Sequence, residues 1–132
     1  MRFFTLPLQC LALAILLAGC GSGPPLAVSS VQLGRSLNAD GTVGGFSTTF
    51  APNETVYVAV LTSGAGDATF SVRWIYAGRV LDEPKKQVSL KDTAATEFHL
   101  QSATGFPPGD YTVEVIMNGQ PVGTRQFTVG KG

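Results

Sequence analysis

Short runs of β-forming residues, separated by turn residues, recur along this chain and constrain its fold more than any other feature. Residues 69–76 show the pattern most clearly. Every second position in this run carries a large apolar side chain: Phe70, Val72, Trp74 and Tyr76. The positions between them, Ser71, Arg73 and Ile75, point to the opposite face of an extended strand. Beyond residue 27 no long stretch has the period of an amphipathic helix, so the chain is predicted to be all-β.

The other runs extend this prediction over the rest of the chain. Residues 28–33 are predicted as a first strand, and residues 55–62, with Val56, Val58 and Val60 toward the core, as a central one. The dipeptides Asp40-Gly41 and Gly44-Gly45 are predicted as turns. Phe46, Thr48 and Phe50 are expected to share one face of the strand that follows. Pro84, Lys85 and Lys86 suit a sheet edge, because proline and charged residues prevent further strand pairing.

The last hairpin gives the strongest local signal. Tyr111, Val113, Val115 and Met117 alternate up to Asn118-Gly119, which favours a type I′ turn because both central residues need positive φ. A regular ladder across a two-residue loop would turn Phe127 outward and waste its burial. One extra residue near Gly123, a β-bulge, is therefore predicted to return Phe127 to the core.

Two features of residues 28–129 resemble those of immunoglobulin and fibronectin type III domains. They are Trp74 in a middle strand and the segment Pro108-Gly109-Asp110-Tyr111-Thr112-Val113 before the last hairpin. The resemblance implies a tryptophan that fills the core and a tyrosine corner that bonds back to the backbone. The cysteine pair of antibody domains is missing. The fold class predicted for residues 28–130 is an antiparallel immunoglobulin-like β-sandwich of about seven or eight strands.

The first twenty residues have the pattern of an export signal. Arg2 precedes an apolar stretch over residues 11–18, which is too short and too interrupted to span a membrane as a helix. The stretch ends in Leu17-Ala18-Gly19-Cys20, which resembles the lipobox of bacterial lipoprotein precursors. This resemblance implies recognition of Leu17, Ala18 and Gly19 by signal peptidase II, and lipid on Cys20. The alternative is a plain secretory signal with Cys20 left as a free thiol.

The predicted organisation is a signal peptide over residues 1–19, a lipidated cysteine and flexible linker over residues 20–27, and the sandwich over residues 28–130. Glycine, serine and proline in the segment Gly21-Ser22-Gly23-Pro24-Pro25 are typical of a linker. Two or three acyl chains hold a protein stably on a membrane. Gly21, rather than aspartate, after the cysteine favours the outer membrane facing the periplasm in lipoproteins of two-membrane bacteria.

Charge excludes some classes of partner. The whole chain has nine Lys and Arg and nine Asp and Glu. Removal of residues 1–19 takes away one cation, Arg2, which leaves eight against nine. Binding to nucleic acid needs a basic face that neutralises phosphates, and the longest basic run is Lys85-Lys86. Nucleic acid is therefore not an expected partner, and neither is a charge-driven hold on anionic lipid.

No group of residues has the pattern of a catalytic or metal site, and no cofactor is expected. His99 is the only histidine, and it should point away from the face of Phe98 and Leu100. A serine-type triad or a zinc site would need further ligands from distant strands. Asp67 and the pair Asp82-Glu83 are expected in loops, where neighbouring carboxylates do not form the spaced pair that glycoside hydrolysis requires.

A binding face is the favoured functional hypothesis. Arg73 and Ile75 on one strand, with Glu114 and Ile116 on another, are expected to form an outer sheet face with an ion pair between two exposed isoleucines. The loop over residues 64–67 and the Asn118-Gly119 tip are further candidates. Three functions stay open: a lipid-anchored, non-enzymatic envelope module that binds a protein or supports an assembly, a periplasmic enzyme inhibitor, and an enzyme or solute-binding protein with a deep pocket.

Overall fold

The computed structural model describes residues 23–131, which form ten β-strands. The predicted signal peptide, its lipobox and Cys20 lie outside the described residues. In chain order the strands are β1 (Ala27–Leu37), β2 (Val43–Phe46), β3 (Thr49–Phe50), β4 (Val56–Ser63), β5 (Gly66–Tyr76), β6 (Arg79–Asp82), β7 (Lys85–Leu90), β8 (Ala94–Leu100), β9 (Gly109–Met117) and β10 (Gln120–Val129). Across residues 23–131 no helix is long and apolar enough to span a membrane.

The strands form two sheets that pack face to face. One sheet has the order β2-β1-β4-β8, and the other has the order β3-β10-β9-β5-β6, with β7 also paired to β5. Neighbouring strands are antiparallel, apart from β3, which runs parallel to β10. The predicted all-β sandwich is confirmed. The strands outnumber the expected seven or eight for two reasons. Pro84 lies between β6 and β7, both of which pair with β5. The segment after β1 forms β2 in one sheet and β3 in the other.

Alternation along the strands places the core as the sequence predicted. Val56, Val58 and Val60 of β4 are fully buried, and so is Trp74 of β5. The core cluster also includes, among others, Phe70, Val72, Phe98, Tyr111, Val113, Val115 and Phe127. Burial of this apolar surface, at roughly 25 cal/mol per Å², is the main stabilising contribution to such a domain.

The bulge predicted in the last hairpin is confirmed. Pro121 pairs with Ile116 and Gly123 with Val115, so Val122 is the extra residue of β10. Beyond this irregularity Phe127 pairs with Tyr111 and is only 2% exposed. The extra residue moves the side-chain alternation by one position, and this shift turns Phe127 inward.

The tyrosine corner implied by the family resemblance is also present. The Tyr111 hydroxyl donates a hydrogen bond to the Pro107 carbonyl oxygen at 2.6 Å. A second tyrosine, Tyr76, stacks on Tyr111 with ring centroids 4.4 Å apart and donates to the Pro108 carbonyl oxygen at 3.1 Å. Together the two hydroxyls hold the segment before β9 against the end of β5.

The expectations for residues 44–50 were wrong. Gly44 and Gly45 lie inside β2 rather than in a turn. Phe46 is 68% exposed, whereas Phe50 is 3% exposed, because β2 pairs with β1 in one sheet and β3 pairs with β10 in the other. The chain changes sheets between these two phenylalanines, so a single alternation cannot run through both.

The β1–β2 hairpin folds over the outer face of the smaller sheet. A Cβ added at Gly41 would lie 3.0 Å from the carbonyl oxygen of Ala95, so the hairpin tip lies against β8. Ala59 alternates with the core residues of β4 and therefore points outward, yet it is fully buried. The covered outer face belongs to the smaller sheet, and the candidate partner face of the sequence analysis lies on the larger one.

Candidate partner face and N-terminal junction

Arg73 occupies the centre of the candidate partner face. It lies directly across the ladder from Glu114, and its Nη1 is 2.8 Å from Glu114 Oε1. On the other side its Nε is 3.3 Å from Glu83 Oε1. The pKa of Arg73 is raised above its ordinary value, chiefly by the hydrogen bond to Glu83 and the negative charge of Glu83. Glu114 adds a smaller contribution in the same direction. The expected ion pair is confirmed. Glu83, which lies between β6 and β7 in a loop as predicted, is a second partner that was not expected.

The two isoleucines of this face differ in exposure, which corrects the expectation that both are exposed. Ile75 is partly exposed, but Ile116 is only 7% exposed. The neighbours of Ile116 across the ladders are Ser71 in β5 and Pro121 in β10. Ile116 therefore lies in a central strand with a close neighbour on each side, and it offers little apolar surface to a partner.

The apolar part of the face lies instead at the edge of the sheet. Val80 of β6 pairs with Ile75 and is 52% exposed. Leu81, which follows it, is 42% exposed because the β5–β6 register is irregular between Trp74 and Ile75. Nothing in the sequence pattern indicated this exposure. An edge strand with an irregular register cannot bury alternate residues.

His99 points away from the core, as predicted. Its side chain is 51% exposed, and its Nδ1 lies 2.6 Å from Glu97 Oε2. Its ring also lies against Tyr57, with centroids 5.7 Å apart. Within residues 23–131 no three His, Cys, Asp or Glu side chains come together in a group that would hold a metal ion.

The candidate carboxylates Asp67, Asp82 and Glu83 each bond to a neighbouring residue of the fold. Asp67 belongs to β5 and bonds Ser89 of β7, and Asp82 ends β6, so neither lies in the loop that the sequence analysis expected. The backbone N–H of Glu83 donates to Asp82 Oδ1 at 2.9 Å, while the side chain of Glu83 pairs with Arg73. These contacts tie the three carboxylates to local structure.

The Asn118-Gly119 tip, a candidate loop, is fixed to β5. Asn118 and Gly119 have φ values of 51° and 83°, as the predicted type I′ turn requires. The Asn118 backbone N–H donates to the Thr69 carbonyl oxygen at 2.8 Å, and Asn118 Oδ1 accepts from the Thr69 N–H at 2.9 Å. This paired contact restrains the tip.

The chain meets the sandwich earlier than the expected boundary at residue 28. Pro25 forms a parallel bridge with Ala65, and the Ala65 N–H donates to the Pro24 carbonyl oxygen at 3.2 Å. Leu26 is 9% exposed and belongs to the core cluster. Ala27 begins β1 and pairs with Ser63, so the last four residues of the predicted linker all contact the folded domain.

Gly64, in the turn between β4 and β5, makes room for this junction. Its φ is +82°, and an added Cβ would lie 2.2 Å from the Pro25 carbonyl oxygen and 2.9 Å from that of Pro24. No side chain fits at such distances. The sequence marked this glycine as a turn residue, but its second role depends on a contact with residues 39 and 40 positions earlier in the chain.

Comparisons with known proteins identify the fold and go no further. No protein-family model matches the chain, and no curated protein matches it. An immunoglobulin-like protein from Pseudomonas aeruginosa aligns over 83% of this chain and 99% of its own, at 10% identity and a TM-score of 0.53. A β-glucosidase from Listeria innocua, solved in complex with glucose, aligns over 80% of this chain at 15% identity and a TM-score of 0.50.

The chain spans 16% of the glucosidase's length, which corresponds to one part of a much larger enzyme. At these identities the likeness carries the fold alone, since sandwich domains serve many unrelated roles. The described region, residues 23–131, is an immunoglobulin-like β-sandwich.

Proposed function

We propose that this chain is a lipid-anchored module of the bacterial cell envelope, non-enzymatic, which binds a protein partner or supports an envelope assembly. The observation that carries the proposal is the motif Leu17-Ala18-Gly19-Cys20 at the end of an export signal. Acyl chains on Cys20 hold the domain at a membrane, and Gly21 after the cysteine favours the outer membrane facing the periplasm.

The surface of the domain supports a binding role rather than a catalytic one. The carboxylates and the histidine weighed as candidate catalytic groups bond to nearby side chains or backbone. The proposed partner face keeps Arg73, Ile75 and Glu114, with Ile116 buried beneath it. Its apolar contribution comes from Ile75 and the exposed Val80.

The intact mass of the protein extracted from membranes tests the anchor. We expect a chain that begins at Cys20 and carries added acyl mass, and we expect Cys20→Ala to lose that mass. An unmodified, soluble chain would overturn the proposal and favour a secreted protein.

A photocrosslinking residue tests the face in the same membranes. Placed at Ile75 it should give one discrete adduct, whereas the same residue at Tyr57, on the smaller sheet, should give none. The charge reversal Arg73→Glu should weaken the Ile75 adduct. Adducts of equal strength at both positions would refute the assignment of this face.

A further inference from the structure

The N-terminal junction fixes the point at which the chain leaves the sandwich. Three successive residues contact the domain: Pro24 accepts a hydrogen bond from Ala65, Pro25 bridges to Ala65, and Leu26 enters the core. The contact lies at the turn between β4 and β5. Gly64 is the residue that allows it, because any side chain there would occupy the position of the proline backbone.

The distance from this junction to Cys20 is short. Four residue steps separate Cys20 from Pro24, and an extended chain covers about 3.3–3.6 Å per step, which gives at most about 14 Å. Without the junction, the first fixed residue would be Ala27, and seven steps would reach about 25 Å. The contact at Gly64 therefore almost halves the length of the tether.

This reach is smaller than the length of the domain. β8 has seven residues and, at about 3.3 Å per residue, extends for about 23 Å between the two ends of the sandwich. Thr93 precedes β8 at the end where Ala94 pairs with Thr62, beside the junction. Thr104 lies beyond the other end of β8, where the Phe106 N–H donates to the Pro52 carbonyl oxygen.

Charge at the junction end does not by itself select a lipid surface. The loop between β7 and β8 carries Lys91 and Asp92, which cancel, and Asp67 lies nearby in β5. The tether, and not electrostatic attraction, would hold this end of the domain at a bilayer. The orientation therefore depends on the length of the chain between Cys20 and Pro24.

From these observations we infer that the end of the sandwich formed by the β4–β5 turn and the loop over residues 91–93 faces the lipid bilayer, and that Gly64 sets this orientation. The inference rests on the proposed lipidation of Cys20. The opposite end, with residues 101–108, faces away from the membrane. The partner face around Arg73 then lies on the side of the domain, upright relative to the plane of the bilayer.

A matched pair of probes tests the orientation in the full lipidated chain. Thr93→Cys and Thr104→Cys each place one thiol in an exposed loop at one end of β8. Cys10 and Cys20 are the only native cysteines; the first lies in the predicted signal peptide and the second would carry lipid. Each variant is labelled with a fluorophore and bound to phosphatidylcholine vesicles that carry a quencher on the lipid headgroup. We expect the headgroup quencher to quench the probe at Thr93 and to leave the probe at Thr104 bright.

The outcomes separate this inference from the function on which it rests. A chain that lacks acyl mass and does not float with vesicles overturns the proposed function, and the inference with it. A chain that floats with vesicles but is quenched equally at both positions overturns the orientation alone.

The role of Gly64 has its own matched control. Gly64→Ala should expel the Pro24–Pro25 backbone, lengthen the tether and reduce the difference between the two probes. Gly119→Ala has the same backbone strain, since its φ is +83°, but its Cβ would meet nothing within 4 Å and the difference should persist. If Gly64→Ala does not fold, an insertion of flexible Gly-Ser residues between Ser22 and Gly23 should abolish the difference without a change in the domain. Retention of the full difference with the lengthened tether would refute the inference.

Discussion

The tyrosine corner offers the sharpest test of how this domain is held together. Tyr111 is 1% exposed, and its hydroxyl donates to the Pro107 carbonyl oxygen at 2.6 Å. Its ring stacks on Tyr76 on one side and on Phe127 on the other, with centroids 4.4 Å and 5.1 Å away. The change Tyr111→Phe keeps the ring and its packing and removes only the hydroxyl. Its effect on stability therefore reports on one hydrogen bond.

The expected magnitude follows from the burial of the two partners. A typical intramolecular hydrogen bond contributes about 0.5–1.5 kcal/mol to the free energy of unfolding, and more when its loss leaves a buried group unpaired. Pro107 is exposed, so water can reach the segment that contains its carbonyl, and the loss should stay near about 1 kcal/mol. With an m-value of about 1–2 kcal/mol/M in urea, the unfolding midpoint should fall by about 0.5–1 M.

Tyr76→Phe is the matched control. The Tyr76 hydroxyl donates to the neighbouring Pro108 carbonyl at a longer distance, 3.1 Å, in an exposed position. Water replaces such a bond readily, so the change in free energy should stay within about 0.5 kcal/mol. Urea unfolding of the domain over residues 23–131, followed by tryptophan fluorescence of Trp74, measures both variants. Equal midpoints for the two variants, or a larger loss for Tyr76→Phe, would refute the argument that burial makes the corner stabilising.

Two further predictions concern the same core. Burial raises the pKa of Tyr111 above its ordinary value of 10.0, so the contribution of its protonated hydroxyl is complete below pH 10.0 and is lost as the pH rises through the folded-state pKa. Urea midpoints measured on both sides of pH 10.0 should fall more for the native chain than for Tyr111→Phe, and parallel pH profiles would contradict this. Phe127→Ala should cost about 3–5 kcal/mol by leaving a cavity beside Trp74, whereas Val122→Ala, at the exposed bulge residue, should stay within about 0.5 kcal/mol in the same unfolding assay. Similar losses for the two would show that the bulge does not direct Phe127 into the core.

Local patterns in the sequence predicted much of the larger sheet. The two-residue period of β5 placed Trp74 in the core and Arg73 on the outer face, since successive side chains of a strand point to opposite sides. The bulge near Gly123 was also predicted, because a regular ladder would have left the large apolar ring of Phe127 in water. Arg73 and Glu114 were expected to pair because adjacent strands bring such residues opposite one another.

The candidate site was predicted only in part. The sequence gives the face to which Ile116 points, but its burial depends on Ser71 and Pro121 in the two neighbouring strands. In the same way, Val80 is exposed because it lies at an edge with an irregular register. Alternation assigns a side chain to a face, and the neighbours that cover the face come from distant parts of the chain.

The sequence by itself determined the all-β class, the inward and outward faces of the regular strands and the positive-φ turn at Asn118-Gly119, because each depends on residues close together in the chain. Only the tertiary structure decided that the chain changes sheets between Phe46 and Phe50, and that Pro25 rests on Gly64. These features depend on contacts between residues far apart in sequence. Close packing selects such contacts from many that the local pattern permits equally well.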